Sequence, residues 1–159
     1  MGNFYSVVFS AVAVTAATDL FELIAPANAA ARIRLHEVGL IQTSDVASTD
    51  SEVLRVTILR YTSASTSGSG GSSATPGALE SSSPAATFTA EVNNTTQVTG
   101  GTATTLIETG WNVLSQMQWS PLIAPDRKPA AINGERIVVR MTAPADSLTV
   151  SGYAIVEEG

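Results

Sequence analysis

The sequence predicts an all-β protein, an antiparallel β-sandwich of jelly-roll type with eight or nine short strands and one long Ser/Gly-rich loop. Three observations predict this fold. Apolar and polar residues alternate with a period of two in several stretches of strand length. Turn-forming Gly, Pro, Asn and Asp residues separate those stretches. None of the stretches shows a convincing helical period.

Four strands are predicted in the first part of the chain, at 4–14, 20–24, 32–42 and 52–61. Segment 4–14 is apolar on both faces, so we expect it to be buried on both sides, or on one side with a subunit contact on the other. Segment 20–24 allows a short helix capped by Thr18 or Asp19 as an alternative. We favour a strand because Pro26 leaves only about six residues for the element.

Segment 32–42 divides its residues between two predicted faces. Strict alternation places three cationic or titratable residues opposite three aliphatic ones, namely Arg32, Arg34 and His36 opposite Ile33, Leu35 and Ile41. We therefore expect the aliphatic face to be buried, and His36 to be solvated or to lie at an interface.

Residues 62–84 form one low-complexity stretch, composed largely of Ser, Gly, Thr and Ala. Such a composition buries too little apolar surface to offset its ordering entropy. A linker between two domains is the alternative, but neither half of the chain has enough strands to fold alone. We therefore predict one β-sandwich domain over 1–159, with 62–84 as an exposed loop of the kind that often contacts partners.

The remaining strands are predicted at 87–92, 104–114, 117–123, 134–142 and 147–157. Asn133-Gly134 is a strong tight-turn signal before the last two. Those last two segments flank a turn at 143–146, so we expect them to pair as a β-hairpin.

Charge and apolar patterning exclude several kinds of partner. The net charge is −6, and the eight Lys and Arg residues are scattered, so the clustered cations that hold nucleic acid are not predicted. The apolar run 7–17 is too short to span a bilayer. No Lys or Arg precedes Arg32, so the charged region of a secretory signal is missing, and no membrane partner is expected.

The reactive residue types predict no catalytic, cofactor-binding or metal-binding site. The chain has no Cys, and its one His, His36, has no serine in a nucleophile-elbow context to act with. The 14 carboxylates are dispersed, and the acidic segment 45–52 lacks the spacing of a calcium-binding loop. We therefore predict that the protein is not an enzyme and uses no cofactor.

Aromatic residues support a second hypothesis, a carbohydrate-binding or adhesion β-sandwich of the tail or fibre type. Trp111, Trp119 and Tyr153 would then form stacking surfaces for sugars. Packing in the core or at an interface is favoured for the two tryptophans, because aromatic residues dominate both environments.

Six segments resemble a group of small proteins encoded in tailed-phage genomes: VTAATDLFELIAPA (14–27), RIRLHE (32–37), LRVTILR (54–60), NNTT (93–96), GERIVVR (134–140) and APAD (143–146). The similarity spans nearly the whole chain, and its motifs are structural rather than catalytic, so no functional residue is carried over.

The resemblance implies a structural protein of a bacteriophage particle, a capsid decoration (cement) protein at the capsid surface of the virion. The expected partners are other copies of the chain, assembled as a trimer, and a major capsid protein. The segments expected to make these contacts are 2–14, which is apolar on both faces, and the loop 62–84.

Overall fold

The computed structural model describes residues 2–28, 30–44 and 51–159. This part of the chain contains one three-residue 3-10 helix, Pro125–Arg127, and fourteen strands: β1 (Asn3–Val14), β2 (Thr18–Ile24), β3 (Arg32–Gln42), β4 (Val53–Tyr61), β5 (Ser65–Thr66), β6 (Ser72–Ala74), β7 (Gly77–Ala78), β8 (Thr89–Asn94), β9 (Thr99–Gly100), β10 (Ala103–Asn112), β11 (Met117–Trp119), β12 (Ala130–Ile132), β13 (Arg136–Met141) and β14 (Leu148–Glu158). No helix among the described residues is long and apolar enough to cross a membrane.

Twelve of the fourteen strands form two antiparallel six-stranded sheets that pack face to face, which confirms the predicted β-sandwich; β5 and β9 form a separate two-stranded sheet. Sheet 1 has the order β11-β3-β14-β1-β7, with β12 also paired to β3; sheet 2 has the order β10-β4-β13-β2-β8-β6. The pairs nest: β1 with β14, β2 with β13, β3 with β11 and β12, and β4 with β10. A long antiparallel hairpin with these nested pairs, rolled up so that its strands divide between two sheets, has the strand order of a jelly roll.

The core lies between the inner faces of the two sheets, and both contribute fully buried residues. Sheet 1 supplies Val7, Leu35, Leu40, Val150 and Val156, and sheet 2 supplies Phe21, Leu23, Ile58, Ile137 and Val139. The rings of Phe9 and Phe21 meet across the interface with centroids 5.2 Å apart. The alternation that predicted the strands thus buries one face of each sheet.

The last two strands do not form the predicted hairpin. β13 pairs with β2 and β4 in sheet 2, whereas β14 pairs with β1 and β3 in sheet 1. Their apolar faces meet the same core from opposite sheets. The turn at Asn133-Gly134 is confirmed: both residues have positive φ, 52° and 79°, and Glu135 N donates to Ile132 O at 3.0 Å.

A bulge in β1 explains why segment 4–14 is apolar on both faces. The register with β14 shifts between Phe9 and Val12. Val7 and Phe9 face the core before the bulge, Val14 faces it after the bulge, and Val8 is 60% exposed. Burial of this strand on both sides is therefore wrong, because its inward positions change parity at the bulge. A subunit contact on the outer face stays a prediction.

A second bulge, in β3, changes which residues of that strand face the core. Leu35 lies opposite Val156 and Glu37 opposite Ile155, so His36 is the extra residue. After it the alternation is inverted: Val38 and Leu40 are buried, and Ile41 is 46% exposed. Grouping Ile41 with the buried Ile33 and Leu35 is therefore wrong.

The Ser/Gly-rich segment is mostly exposed, but it contains three short strands that its composition did not predict. β5 pairs with β9, β6 pairs with β8 at the edge of sheet 2, and β7 pairs with Tyr5 and Ser6 of β1. Tyr5 also donates from its hydroxyl to Pro84 O at 3.0 Å. The segment is therefore attached to both sheets.

Candidate functional site

His36 links three elements on the outer face of sheet 1. Its Nε2 lies 2.9 Å from Glu157 Oε2 on β14, and its Nδ1 lies 3.0 Å from Lys128 Nζ, next to the 3-10 helix. The Phe4 ring packs edge-on against the imidazole at 4.9 Å. Both ring nitrogens are thus engaged within the chain, and within the described residues no serine hydroxyl is among the partners of His36.

The three aromatic residues considered for sugar stacking do not share a surface. Trp111 is 1% exposed, and its Nε1 donates to Ser115 O at 2.7 Å. Trp119 packs against the core from the edge strand β11. Tyr153 lies on the outer face of sheet 1 directly across from Gly39. Trp111 therefore presents no ring face to a ligand in this conformation.

Tyr153 is held flat over Gly39 by its own hydrogen bond. Its hydroxyl donates to the Glu37 carboxylate, which also accepts from Gln118 Nε2 at 2.7 Å. A methyl group on Gly39 would lie 2.1 Å from Cε1 of the ring, so glycine is required here for space. The hydrogen bond to Glu37, followed by burial, raises the pKa of Tyr153 above its usual 10.0.

Two carboxylates that looked dispersed in the sequence are fully buried ion-pair partners on the outer face of sheet 2. Asp19 accepts from Arg140 Nε at 2.5 Å and from Val98 N at 2.8 Å. Glu22 accepts from Arg136 Nε at 2.9 Å and from Gly68 N at 3.0 Å. Both carboxylates are 0% exposed, so these contacts fasten the 62–102 connection onto the sheet.

A bulge places these two carboxylates on one face. Asp19 lies opposite Arg140 and Phe21 opposite Val139, so Leu20 is the extra residue in β2. Strict alternation would have placed Asp19 and Glu22 on opposite faces. The sequence does mark this face in β13, where Arg136 and Arg140 are four residues apart and therefore point to the same side of the sheet.

An apolar patch is exposed on the outer face of sheet 1. We call it the outer patch; its members are Phe4, Val8, Ile41 and Leu79, which are 36%, 60%, 46% and 57% exposed. Leu79 N donates to Phe4 O at 2.9 Å, which continues the pairing of β7 with β1. A shallow groove of about 320 Å³ between Val8, Ile41 and Tyr153 forms part of the same face.

A second candidate site lies at the open edge between β10 of sheet 2 and the 3-10 segment beside sheet 1. We call it the basic cleft. It has a volume of about 580 Å³ and is lined by Arg32, Arg60, Arg127 and Lys128, with Asp126, Glu135 and the aliphatic side chains of Leu106, Ile107, Ile123 and Ile132. The fold thus brings together half of the eight Lys and Arg residues that are scattered in the sequence.

No set of three or more His, Asp or Glu side chains among the described residues is arranged to hold a metal ion. The acidic segment considered for a cation falls largely on residues 45–50, which lie outside the described residues. Comparisons of the chain with protein-family models, curated proteins and solved structures found no match.

Proposed function

We propose that this protein is a structural subunit of a bacteriophage particle, a capsid decoration protein that packs on the shell as a homo-oligomer. Two features support the proposal. The six quoted segments resemble proteins of tailed phages, and double-sheet jelly rolls are common among viral capsid proteins. The observation that carries it is the outer patch, because apolar side chains exposed on one face of a sheet are a surface that another protein can cover.

The outer patch unites the two segments expected to make contacts. Strand β1 supplies Phe4 and Val8, and the Ser/Gly-rich segment supplies Leu79 through the pairing of β7 with β1. Burying this apolar surface between copies stabilises an assembly by about 25 cal/mol per Å² before the costs of association. Another copy of the chain is therefore the proposed occupant of the patch, and the assembled oligomer is what packs on the major capsid protein.

A matched pair of substitutions tests this proposal. Val8→Asp places a charge in the outer patch, and Val53→Asp places the same charge on the other sheet at a position that is 69% exposed. We expect light scattering behind a sizing column to give a multiple of the 16.4 kDa chain mass for the wild type, a trimer, and for Val53→Asp. Val8→Asp should shift the mass towards one chain.

Two results would contradict the proposal. One is a wild-type protein that is strictly monomeric and binds no phage shell in a co-sedimentation assay. The other is a Val8→Asp variant whose mass equals that of Val53→Asp. Circular dichroism of both variants shows whether a loss of assembly accompanies a loss of fold.

A further inference from the structure

The cations of the basic cleft differ from the other basic residues of the chain. Arg34, Arg55, Arg136 and Arg140 each lie within 4.0 Å of a carboxylate. Arg32, Arg60, Arg127 and Lys128 have no carboxylate at that distance among the described residues. Lys128 contacts the imidazole of His36, with Nζ 3.0 Å from Nδ1, but no carboxylate. Cations without a carboxylate partner that converge on one cleft of a protein with net charge −6 indicate attraction of an anionic ligand.

The acidic residues in the cleft do not neutralise these cations. Two carboxylates, Asp126 and Glu135, face four cations across the lining. Glu135 is engaged locally, because its Oε2 accepts from Ile132 N at 3.1 Å. Arg60 makes only a long contact within the chain, from Nη1 to Ala130 O at 3.4 Å. The side chains of Arg32 and Arg127 donate to no group in the described part of the protein and are exposed.

The wall of the cleft formed by β10 is an open sheet edge. Among the described strands, β10 pairs only with β4, so the backbone groups on its other side have no strand partner. Leu106 and Ile107 of this strand line the cleft together with Ile123 and Ile132 from the opposite wall. An open strand edge beside apolar side chains is the surface to which an extended peptide adds as a further strand.

We propose that the basic cleft binds an extended acidic segment of a partner protein, which pairs with β10 and places its carboxylates against Arg32, Arg60, Arg127 and Lys128. Alternate side chains of such a strand point to opposite faces, so the carboxylates on one face can meet the cations that line the cleft. A free phosphate uses neither the strand edge nor the aliphatic wall. This proposal does not rest on the proposed function, because the cleft lies outside the outer patch.

A peptide-binding measurement tests the proposal. The probe is a fluorescent peptide of alternating Glu and Val with the ten-residue length of β10, and its anisotropy is followed at about 50 and about 200 mM salt. We expect saturable binding that weakens with salt and slower amide hydrogen exchange in 103–112. The double substitution Arg32→Gln with Arg127→Gln should weaken binding about tenfold, since two charge-assisted contacts are lost.

Matched controls make the result decisive. Arg55→Gln changes a cation that is 61% exposed, lies on β4 outside the cleft and pairs with Glu108, so peptide affinity should fall far less than in the double variant. A peptide with Lys in place of Glu should not bind. The proposal is overturned if the acidic peptide does not bind, if the double variant binds it as the wild type does, or if exchange is slowed elsewhere than in β10. Tighter binding of a single-stranded DNA oligonucleotide at the cleft would also overturn it.

Discussion

At the scale of residues, the main feature is a pair of fully buried carboxylates in a chain with few charges. Asp19 and Glu22 are each 0% exposed and each hydrogen-bonded to an arginine and to a backbone N–H group. A buried ion pair adds little stability compared with apolar residues of the same size. Removing one partner destabilises the fold strongly, because the other charge is then buried and unpaired. These residues therefore specify where the 62–102 connection lies on sheet 2.

Removing one partner of a buried pair should be far more damaging than removing one of an exposed pair. We expect Arg140→Met to lower the free energy of unfolding by about 3–5 kcal/mol, because Asp19 is left charged and buried. Arg55→Met removes an exposed pair with Glu108 at 4.0 Å and should change stability by less than about 1 kcal/mol. Urea denaturation measures both values.

A double variant separates the charge effect from lost packing. Asp19→Asn combined with Arg140→Met removes both charges of this pair, leaves no unpaired carboxylate at position 19, and should recover part of the stability lost in Arg140→Met. If Arg140→Met is no more destabilising than Arg55→Met, the ion pair does not anchor the connection.

At the scale of elements, bulges decide which residues face the core. The sequence predicted β3 at 32–42 with the observed bounds, because its alternation and flanking turn residues are local signals. The faces of Ile41 and Val14 could not be predicted in the same way. A single extra residue inverts the alternation that follows it, and His36 and Ala11 carry no sequence signal for this role.

The bulge in β1 predicts an unusual response to glycine. Ala11 has φ 52°, a conformation that costs an L-residue about 1–2 kcal/mol and costs glycine almost nothing. Replacing Ala11 by glycine relieves this conformational cost, but the greater entropy of glycine in the unfolded chain offsets part of the stability gained. We expect Ala11→Gly to raise the free energy of unfolding by about 0.5 kcal/mol.

Ala13 provides the control on the same strand. It is exposed and does not have a positive φ, so Ala13→Gly should lower stability by about 0.5–1 kcal/mol. Thermal denaturation of the two variants compares them directly. Equal destabilisation by both would mean that Ala11 does not store strain at the bulge.

At the scale of the whole molecule, the nested order of the strands creates sites that no local pattern marks. The basic cleft collects Arg32, Arg60 and the pair Arg127 and Lys128 from segments that are far apart in the chain. Their distances are set by which strands become neighbours, and that depends on the connection between sheets rather than on periodicity. For the same reason the sequence favoured a closing hairpin, although β13 and β14 lie in opposite sheets.

Two tyrosines that join distant parts of the fold should limit its stability in alkali. Burial, and after it the nearby Glu158, raises the pKa of Tyr5, while the hydrogen bond to Glu37 raises that of Tyr153. The folded protein therefore keeps these protons to a higher pH than the unfolded chain, whose tyrosines titrate at about 10. The stability that the two protonated phenols contribute is complete below pH 10. It is lost as the pH rises through their pKa values in the folded protein.

We expect the urea midpoint to fall as pH rises above about 10, and to fall less steeply in Tyr5→Phe and in Tyr153→Phe, each of which removes one titrating group. Glu37→Gln should lower the pKa of Tyr153, measured by ultraviolet absorbance of the phenolate, because the carboxylate that holds the proton is neutralised. Baseline stability will differ among the variants, so the slope with pH is the quantity compared. A slope that is identical in the wild type and both phenylalanine variants would show that neither phenol is coupled to folding.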